Sequence, residues 1–184
     1  MSTETLTTET TLTIRRAAWE DMEAVAGFLR STADWYRPFL REEDMAEHDV
    51  PEEWKARNFA RREFWLGELE GEPVGTVSLQ EFGDYAYVGY VYLDAAHVGR
   101  GIGRRLLQHA AKQARARGKR GVALIAHPRA VWATRAYRKF GFELVASRRE
   151  DVLAWNDGAL RDYYEEGFEL YVYSLAAGGR PSTK

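Results

Sequence analysis

The 184-residue sequence contains no cysteine. Disulfide bonds, thiolate nucleophiles and cysteine-ligated metal sites are therefore excluded. No run of apolar residues approaches the roughly 20 that a transmembrane helix needs, and the first residues lack the basic and apolar regions of a secretory signal. The formal charge of −2 does not favour general binding to nucleic acids or membranes. A chain of this length is ordinarily one domain, and we expect a cytoplasmic protein with neither nucleic acid nor membrane as a partner.

Histidine is also scarce, with four residues in the chain. His48, His97 and His109 do not occur at the spacing of a metal-binding motif. We therefore predict no metal site.

The most informative segment runs from an apolar strand through a glycine-rich turn into an amphipathic helix. Aromatic and β-branched residues predict a strand over residues 85–93, and apolar residues from position 102 onward recur at helical spacing. Between them, Gly99, Gly101 and Gly103 alternate with other residues. Amides in the first turn of a helix have no partner within the helix, and glycines let a ligand approach the backbone. The turn is predicted to bind an anion, most often a phosphate; a plain connecting turn is the alternative.

Spacing excludes two familiar phosphate loops. A dinucleotide-binding fingerprint that began at Gly99 would need its last glycine at Arg104, and one that began at Gly101 would need it at Leu106. The Gly-Lys-Ser/Thr ending of a nucleotide-triphosphate loop is absent. A shorter loop whose amides hold a pyrophosphate remains.

Two segments resemble motifs of the GNAT superfamily of N-acetyltransferases. Residues 98–107, Val-Gly-Arg-Gly-Ile-Gly-Arg-Arg-Leu-Leu, are similar to its acyl-CoA loop, whose usual pattern is Arg or Gln, two residues, Gly, one residue, then Gly or Ala. Residues 133–142 resemble its late helix, which carries a tyrosine and ends in Gly-Phe. The chain departs from the family at Val98, where Arg or Gln is usual, and at Ala130, where Asn is frequent.

The resemblance implies an α/β domain over residues 12–175. Its central sheet would be mixed, mostly antiparallel and flanked by helices, with the family's fourth and fifth strands splayed so that acyl-CoA fits between them. Residues 1–11 and 176–184 are predicted to be a flexible leader and tail.

Local patterns predict the order of the elements. Strands are expected over residues 12–15, 64–70, 74–82, 122–126, 142–149 and 168–175, besides 85–93. Helices are expected over 19–29, from 102 to near Gly118 and over 130–140, with one or two pieces within 42–62 broken before Pro51 and a loop over 31–40. Residues 150–166 are interpreted as an ordered insertion that closes over a substrate, with a packing or dimer-contact loop as an equal alternative.

The resemblance also assigns roles to residues. The backbone around Leu93 would polarise the thioester carbonyl, and Tyr137 would be the general acid beside the CoA sulfur; a core aromatic is the alternative for Tyr137. The pyrophosphate would be bound by the amides of the loop, namely Val98, Gly99, Arg100, Gly101, Ile102, Gly103 and Arg104.

The general base is left open by the sequence. Glu81 at the end of a strand, His127 beyond a short strand and Asp94 at the mouth of the loop are candidates. A water chain could replace any of them.

The predicted function is transfer of an acetyl group from acetyl-CoA to a primary amine by direct attack, since the sequence has no cysteine and no serine nucleophile motif. The acceptor would be a small-molecule or peptide amine, selected by residues 31–62 and 150–166. The acidic segment 41–53 would favour a cationic amine, unless it is only an exposed helix. A homodimer is frequent in the family. The rival hypothesis is a non-catalytic acyl-CoA-binding or interaction module with the same fold.

Overall fold

The computed structural model describes residues 11–175. The leader and tail predicted at residues 1–11 and 176–184 lie outside this range, apart from Thr11. Within it, no helix is both long enough and apolar enough to cross a bilayer.

One eight-stranded sheet forms the centre of the described chain. Its order is β1-β2-β3-β4-β6-β8-β7, with β5 paired to β3. Among these strands only the β4–β6 pair is parallel, which confirms the predicted mixed and mostly antiparallel sheet. The strands are β1 Leu12–Arg16, β2 Glu63–Leu69, β3 Glu72–Phe82, β4 Tyr85–Tyr87, β5 Val91–Leu93, β6 Gly121–Ala126, β7 Glu143–Ala146 and β8 Glu169–Ser174.

Helices cover both faces of the sheet. They are α1 Met22–Tyr36, α2 Glu42–Asp49, α3 Glu52–Arg61, α4 Ile102–Ala116, α5 Val131–Phe140 and α6 Arg149–Ala154. The apolar stripe of α4, centred on the fully buried Leu106, packs on one face against Val77 and Leu124. Because successive side chains of a strand point to opposite faces, Phe64 and Leu66 of β2 reach the other face, where α1 and α3 cover them.

Helix α1 is longer than the sequence predicted. The predicted loop over residues 31–40 is wrong for its first part, since α1 continues to Tyr36. Thr32 and Ala33 extend the buried face of the helix, so tertiary packing supports two more turns than the apolar pattern indicated. The predicted strand over 142–149 is likewise too long, because β7 ends at Ala146 and α6 begins at Arg149.

The predicted strand over residues 85–93 is two strands. Between them, Ser78 N donates a hydrogen bond to Tyr90 O at 2.9 Å, and Tyr90 N donates to the side-chain Oγ of Ser78 at 2.9 Å. The guanidinium of Arg62 occupies the place of a side chain at Gly89, where an added Cβ would lie 1.8 Å from Arg62 Nη1. Strand β4 pairs with β6, whereas β5 pairs with β3 alone. A gap therefore opens between β5 and the end of β6, and this is the predicted splay.

Residues 150–166 form an ordered insertion. Val152 and Leu160 are fully buried against Tyr87, Ala123 and Leu170. These strand positions alternate with residues that contact α4, so the insertion lies on the same face of the sheet as α1.

Candidate active site

Two cavities open at the splay and share one wall. The larger, about 460 Å³, is lined by the glycine loop and α5. The smaller, about 290 Å³, is lined by α2, the end of β6 and the insertion. The residues that line both are Tyr36, Val91, Tyr92, Ala133 and Tyr137. Two ligands bound in these cavities would therefore contact the same residues.

The glycine loop leaves its amides free. Gly99 and Gly101 have φ of +84° and +79°, a region that residues with a side chain rarely adopt, and an added Cβ at either would meet open space. Gly101 precedes α4, and the first hydrogen bond of that helix joins Arg105 N to Gly101 O at 3.3 Å. In the part of the chain that the structure describes, no amide of residues 98–104 donates a hydrogen bond to the protein. These donors, at the positive end of α4, can bind an anion.

Most of the predicted cofactor-binding residues line the larger cavity. Those that do are Leu93, Val98, Gly99, Gly101, Gly103 and Arg104. The side chain of Ile102 instead belongs to the buried core, and Arg100 is exposed outside the cavity. Val98 is 40% exposed, and Ala130 is buried at the smaller cavity.

Tyr137 lies on the shared wall, one turn before the end of α5. Its ring packs 5.9 Å from that of Phe142 and 6.5 Å from that of Tyr171. Burial, with smaller repulsion from Tyr36 and Tyr87, raises the pKa of Tyr137 well above its usual value. Within residues 11–175 its hydroxyl has no hydrogen-bond partner, so a protonated donor is available to a ligand.

Aromatic residues of α1 and α5 that line the larger cavity contact one another. Trp132 makes edge-to-face contacts with Trp35 at 5.6 Å and with Tyr36 at 5.2 Å. Sequence reasoning did not assign these contacts, because it ended α1 before Trp35. The apolar residues at the end of α1 were the available signal.

The candidate bases are widely separated. Glu81 lines neither cavity formed by the splay; its carboxylate lies 3.2 Å from Lys119 and is 53% exposed. Asp94 also lies outside both cavities, 3.1 Å from His97. The structure therefore does not bring Glu81 or Asp94 together with Tyr137.

His127 lines the smaller cavity with Tyr137. Its ring stacks on Phe39 at 4.7 Å, and its Nδ1 accepts a hydrogen bond from Arg129 N at 3.1 Å. Burial, assisted by Arg129, lowers the pKa of His127. At neutral pH His127 is therefore a neutral group that already holds a backbone partner.

The smaller cavity contains a carboxyl group that the sequence did not single out. Glu165, from the end of the insertion, is 21% exposed, and its Oε1 lies 3.9 Å from His48 Nε2. Burial lowers the pKa of His48 to about 4, so His48 is neutral at pH 7. Burial, followed by repulsion from Asp44 and Glu47, raises the pKa of Glu165 to about 8. Only tertiary contacts distinguish Glu165 from the other acids around it.

The raised pKa of Glu165 predicts a pH effect on stability. A carboxyl whose folded pKa exceeds its unfolded value stabilises the fold below the unfolded pKa, near 4.5, and that contribution is lost as pH rises to about 8. Glu165→Gln removes the titration, so only the wild type should lose this contribution as pH rises. The difference in Tm, variant minus wild type, should therefore increase between pH 5 and pH 9. The expected increase is about 3 to 5 °C for each pKa unit of the shift. Thermal unfolding at both pH values measures it, and a constant difference would mean that Glu165 is as well solvated in the fold as in the unfolded chain.

No cluster suited to a metal ion is present among the described residues, since no three or more His, Asp or Glu side chains converge.

A sheet splayed at its centre, with an amide-rich loop on one side and a carboxyl-bearing cavity on the other, defines an α/β protein with a two-chambered cleft. A model of the acetyltransferase (GNAT) family matches residues 15–142. The chain belongs to this family of acetyltransferases.

Solved structures share the fold. The PaiA N-acetyltransferase from Thermoplasma acidophilum, in complex with coenzyme A, matches with a TM-score of 0.70 and 18% identity over 90% of this chain and 99% of its own. The ribosomal-protein-S18-alanine N-acetyltransferase from Escherichia coli matches with a TM-score of 0.64 and 19% identity, over 95% of this chain and 100% of its own. The yncA protein from Salmonella typhimurium, with its cofactor acetyl-CoA, matches with a TM-score of 0.61 and 18% identity, over 95% of this chain and 99% of its own. At these identities the likeness is one of fold.

Proposed function

We propose that this protein transfers an acetyl group from acetyl-CoA to a primary amine, by direct attack of the amine on the thioester. The larger cavity would hold acetyl-CoA and the smaller cavity the acceptor. The observation that carries the proposal is the wall common to both cavities, with Tyr137 in it. Direct transfer requires the two substrates to meet beside a proton donor.

The glycine loop supports acetyl-CoA as the donor. Free amides at the start of α4 suit a pyrophosphate, and they do not depend on the side chain at Val98. The larger cavity continues along β5 to Leu93 and across to Trp132, which gives an apolar path for the pantetheine arm. The solved relatives that contain coenzyme A or acetyl-CoA agree with this assignment.

The chemistry that we assign to Tyr137 is protonation of the leaving sulfur. When the amine nitrogen forms its bond to the thioester carbon and the C–S bond breaks, the sulfur leaves with the bonding electron pair and takes the phenolic proton. The phenol is protonated at every working pH because its pKa is raised. Tyr137 therefore holds a proton that it can give to the sulfur when the thioester bond breaks.

A non-catalytic acyl-CoA-binding module is the second candidate. Val98 and Ala130 favour it, because each replaces a polar residue that the family commonly has at its position. Each lines one of the two cavities. Such a module would bind acetyl-CoA without releasing thiol in the presence of amines.

Calorimetric titration followed by a turnover assay separates these functions. We expect acetyl-CoA and CoA to bind with dissociation constants on the order of micromolar, and ATP not to bind. Thiol release from acetyl-CoA should then appear with at least one member of a panel of polyamines, amino acids and peptides. Binding without turnover would support the module, and absence of binding would refute both candidates.

A further inference from the structure

We propose that Glu165 binds the ammonium group of the acceptor and removes its proton, so that the acceptor of this enzyme is a cationic amine. This inference rests on the proposed acetyl transfer. It assigns the base that the sequence left open, and it places that base on the insertion and not on the central sheet.

The position of Glu165 is the first support. It lines the smaller cavity together with Tyr137 and Tyr36, which also line the larger one. An amine that contacts the Glu165 carboxylate therefore lies in the cavity that ends at the wall shared with acetyl-CoA. Neither Glu81 nor Asp94 lines this cavity.

The charge around Glu165 is the second support. Among the other acids that line this cavity, Glu43 and Asp44 pair with Arg41 and Glu47 pairs with Arg57, while Asp162 is exposed to solvent. Glu165 has no Lys or Arg within 4.0 Å in the described part of the chain. A half-buried carboxylate without a cation is unfavourable, so a ligand that brings a positive charge to Glu165 relieves that penalty. An ammonium ion is such a ligand.

The surroundings of Glu165 come from several elements. The titratable and charged groups that line the same cavity are Tyr36 of α1, Glu43, Asp44, Glu47 and His48 of α2, Arg57 and Arg61 of α3, Arg62 before β2, Tyr87 of β4, Tyr90 and Tyr92 at β5, His127 after β6, and Asp162, Tyr163 and Tyr164 of the insertion. Burial raises the pKa of Tyr36 and of Tyr90 to about 12, so these phenols stay neutral. Glu165 itself titrates near pH 8, close to the working range that suits a general base.

The turn that carries Glu165 is held in place by two hydrogen bonds. Phe168 N donates to Glu165 O at 3.1 Å, and Gly167 N donates to the hydroxyl of Tyr164 at 3.3 Å. Gly167 has φ of +83°, and an added Cβ there would lie 3.1 Å from His127 Nε2. The neighbouring Glu166 points elsewhere, to Arg149 at 3.1 Å. The backbone thus directs one of two adjacent carboxylates into the cavity.

The proton transfers balance over one cycle. The acceptor R–NH₃⁺ gives one proton to the Glu165 carboxylate and becomes R–NH₂. Its lone pair forms the C–N bond, the C–S bond breaks, and the sulfur takes the proton of Tyr137. The nitrogen, which still carries one proton too many for an amide, returns that proton to Tyr137, and Glu165 releases its own to water. The products are the amide, the thiol and one proton.

The test is the pH profile of kcat/KM for wild type and Glu165→Gln, with two acceptors whose own amine pKa values differ by a unit or more. For the wild type we expect kcat/KM to fall on the acidic side of the profile with an apparent pKa near 8. This pKa should be the same for both acceptors. For Glu165→Gln we expect kcat/KM to fall about 100-fold, the limb to disappear, and the affinity for acetyl-CoA to stay within about twofold. Glu165→Asp, which keeps a carboxylate, should retain the limb at a reduced rate.

Glu166→Gln is the matched control, because Glu166 is the adjacent carboxylate and lies outside the cavity. Its pH profile of kcat/KM should match that of the wild type. A limb that follows the acceptor's pKa, or one that survives Glu165→Gln, would overturn the inference. A limb abolished only by His127→Asn would transfer the role to His127. If the wild type acetylates no amine at all, both the proposed function and this inference fail. If the enzyme is active but its acidic limb does not depend on Glu165, only this inference fails.

Discussion

Tyr137→Phe is expected to lower kcat about 100- to 1,000-fold and to leave the dissociation constant of acetyl-CoA within about twofold. The phenylalanine keeps the packing against Phe142 and Tyr171, and only the hydroxyl is lost. Because that hydroxyl has no partner among residues 11–175, its removal leaves no protein group unpaired. The expected change is therefore in turnover and not in stability.

The measurement is steady-state thiol release beside calorimetric titration with acetyl-CoA. Tyr171→Phe is a suitable control, since it removes a buried tyrosine hydroxyl that lines neither cavity. Because the pKa of Tyr137 is raised well above its usual value, loss of its proton should produce no alkaline limb in the wild-type profile. An active Tyr137→Phe enzyme would remove Tyr137 as the acid, and the other phenol of the shared wall, Tyr36, would be tested next.

Gly101→Val is expected to weaken acetyl-CoA binding at least about tenfold. A β-branched residue at φ of +79° is strained by about 1 to 3 kcal/mol. The backbone can relieve that strain only by rotating, and rotation turns the amides at the start of α4 away from the bound anion. A valine that keeps the backbone in place would instead put methyl groups into the larger cavity, which Gly101 lines.

The control for strain alone lies at the other end of the same helix. Gly118 has φ of +69°, and an added Cβ there meets open space, as at Gly101. Gly118→Val should therefore lower Tm by a similar amount and leave acetyl-CoA affinity unchanged. Equal affinity in the two variants would place the anion site away from the glycine loop.

The sequence predicted the parts of the site that are local in the chain. The glycine loop and the start of α4 could be identified because a strand, a turn and a helix follow one another in the chain. The tyrosine on α5 was indicated by the resemblance of residues 133–142 to the family's late helix. The sequence also indicated that residues 150–166 are ordered, from Trp155 and two tyrosines within them. Glu165 was not assigned because it is one of several acids in the chain.

The sequence by itself determined the family, the order of nearly all elements and the amide-rich loop, since these depend on neighbours within about one turn or one strand. Tertiary structure decided where α1 ends, because the burial of Thr32 and Ala33 depends on the sheet beneath them. It also decided that the predicted strand over residues 85–93 breaks at Gly89, because Arg62 arrives there from a distant segment. Finally, it separated Glu165 from Glu166, because burial and the absence of a nearby cation arise only when the insertion packs beside α2.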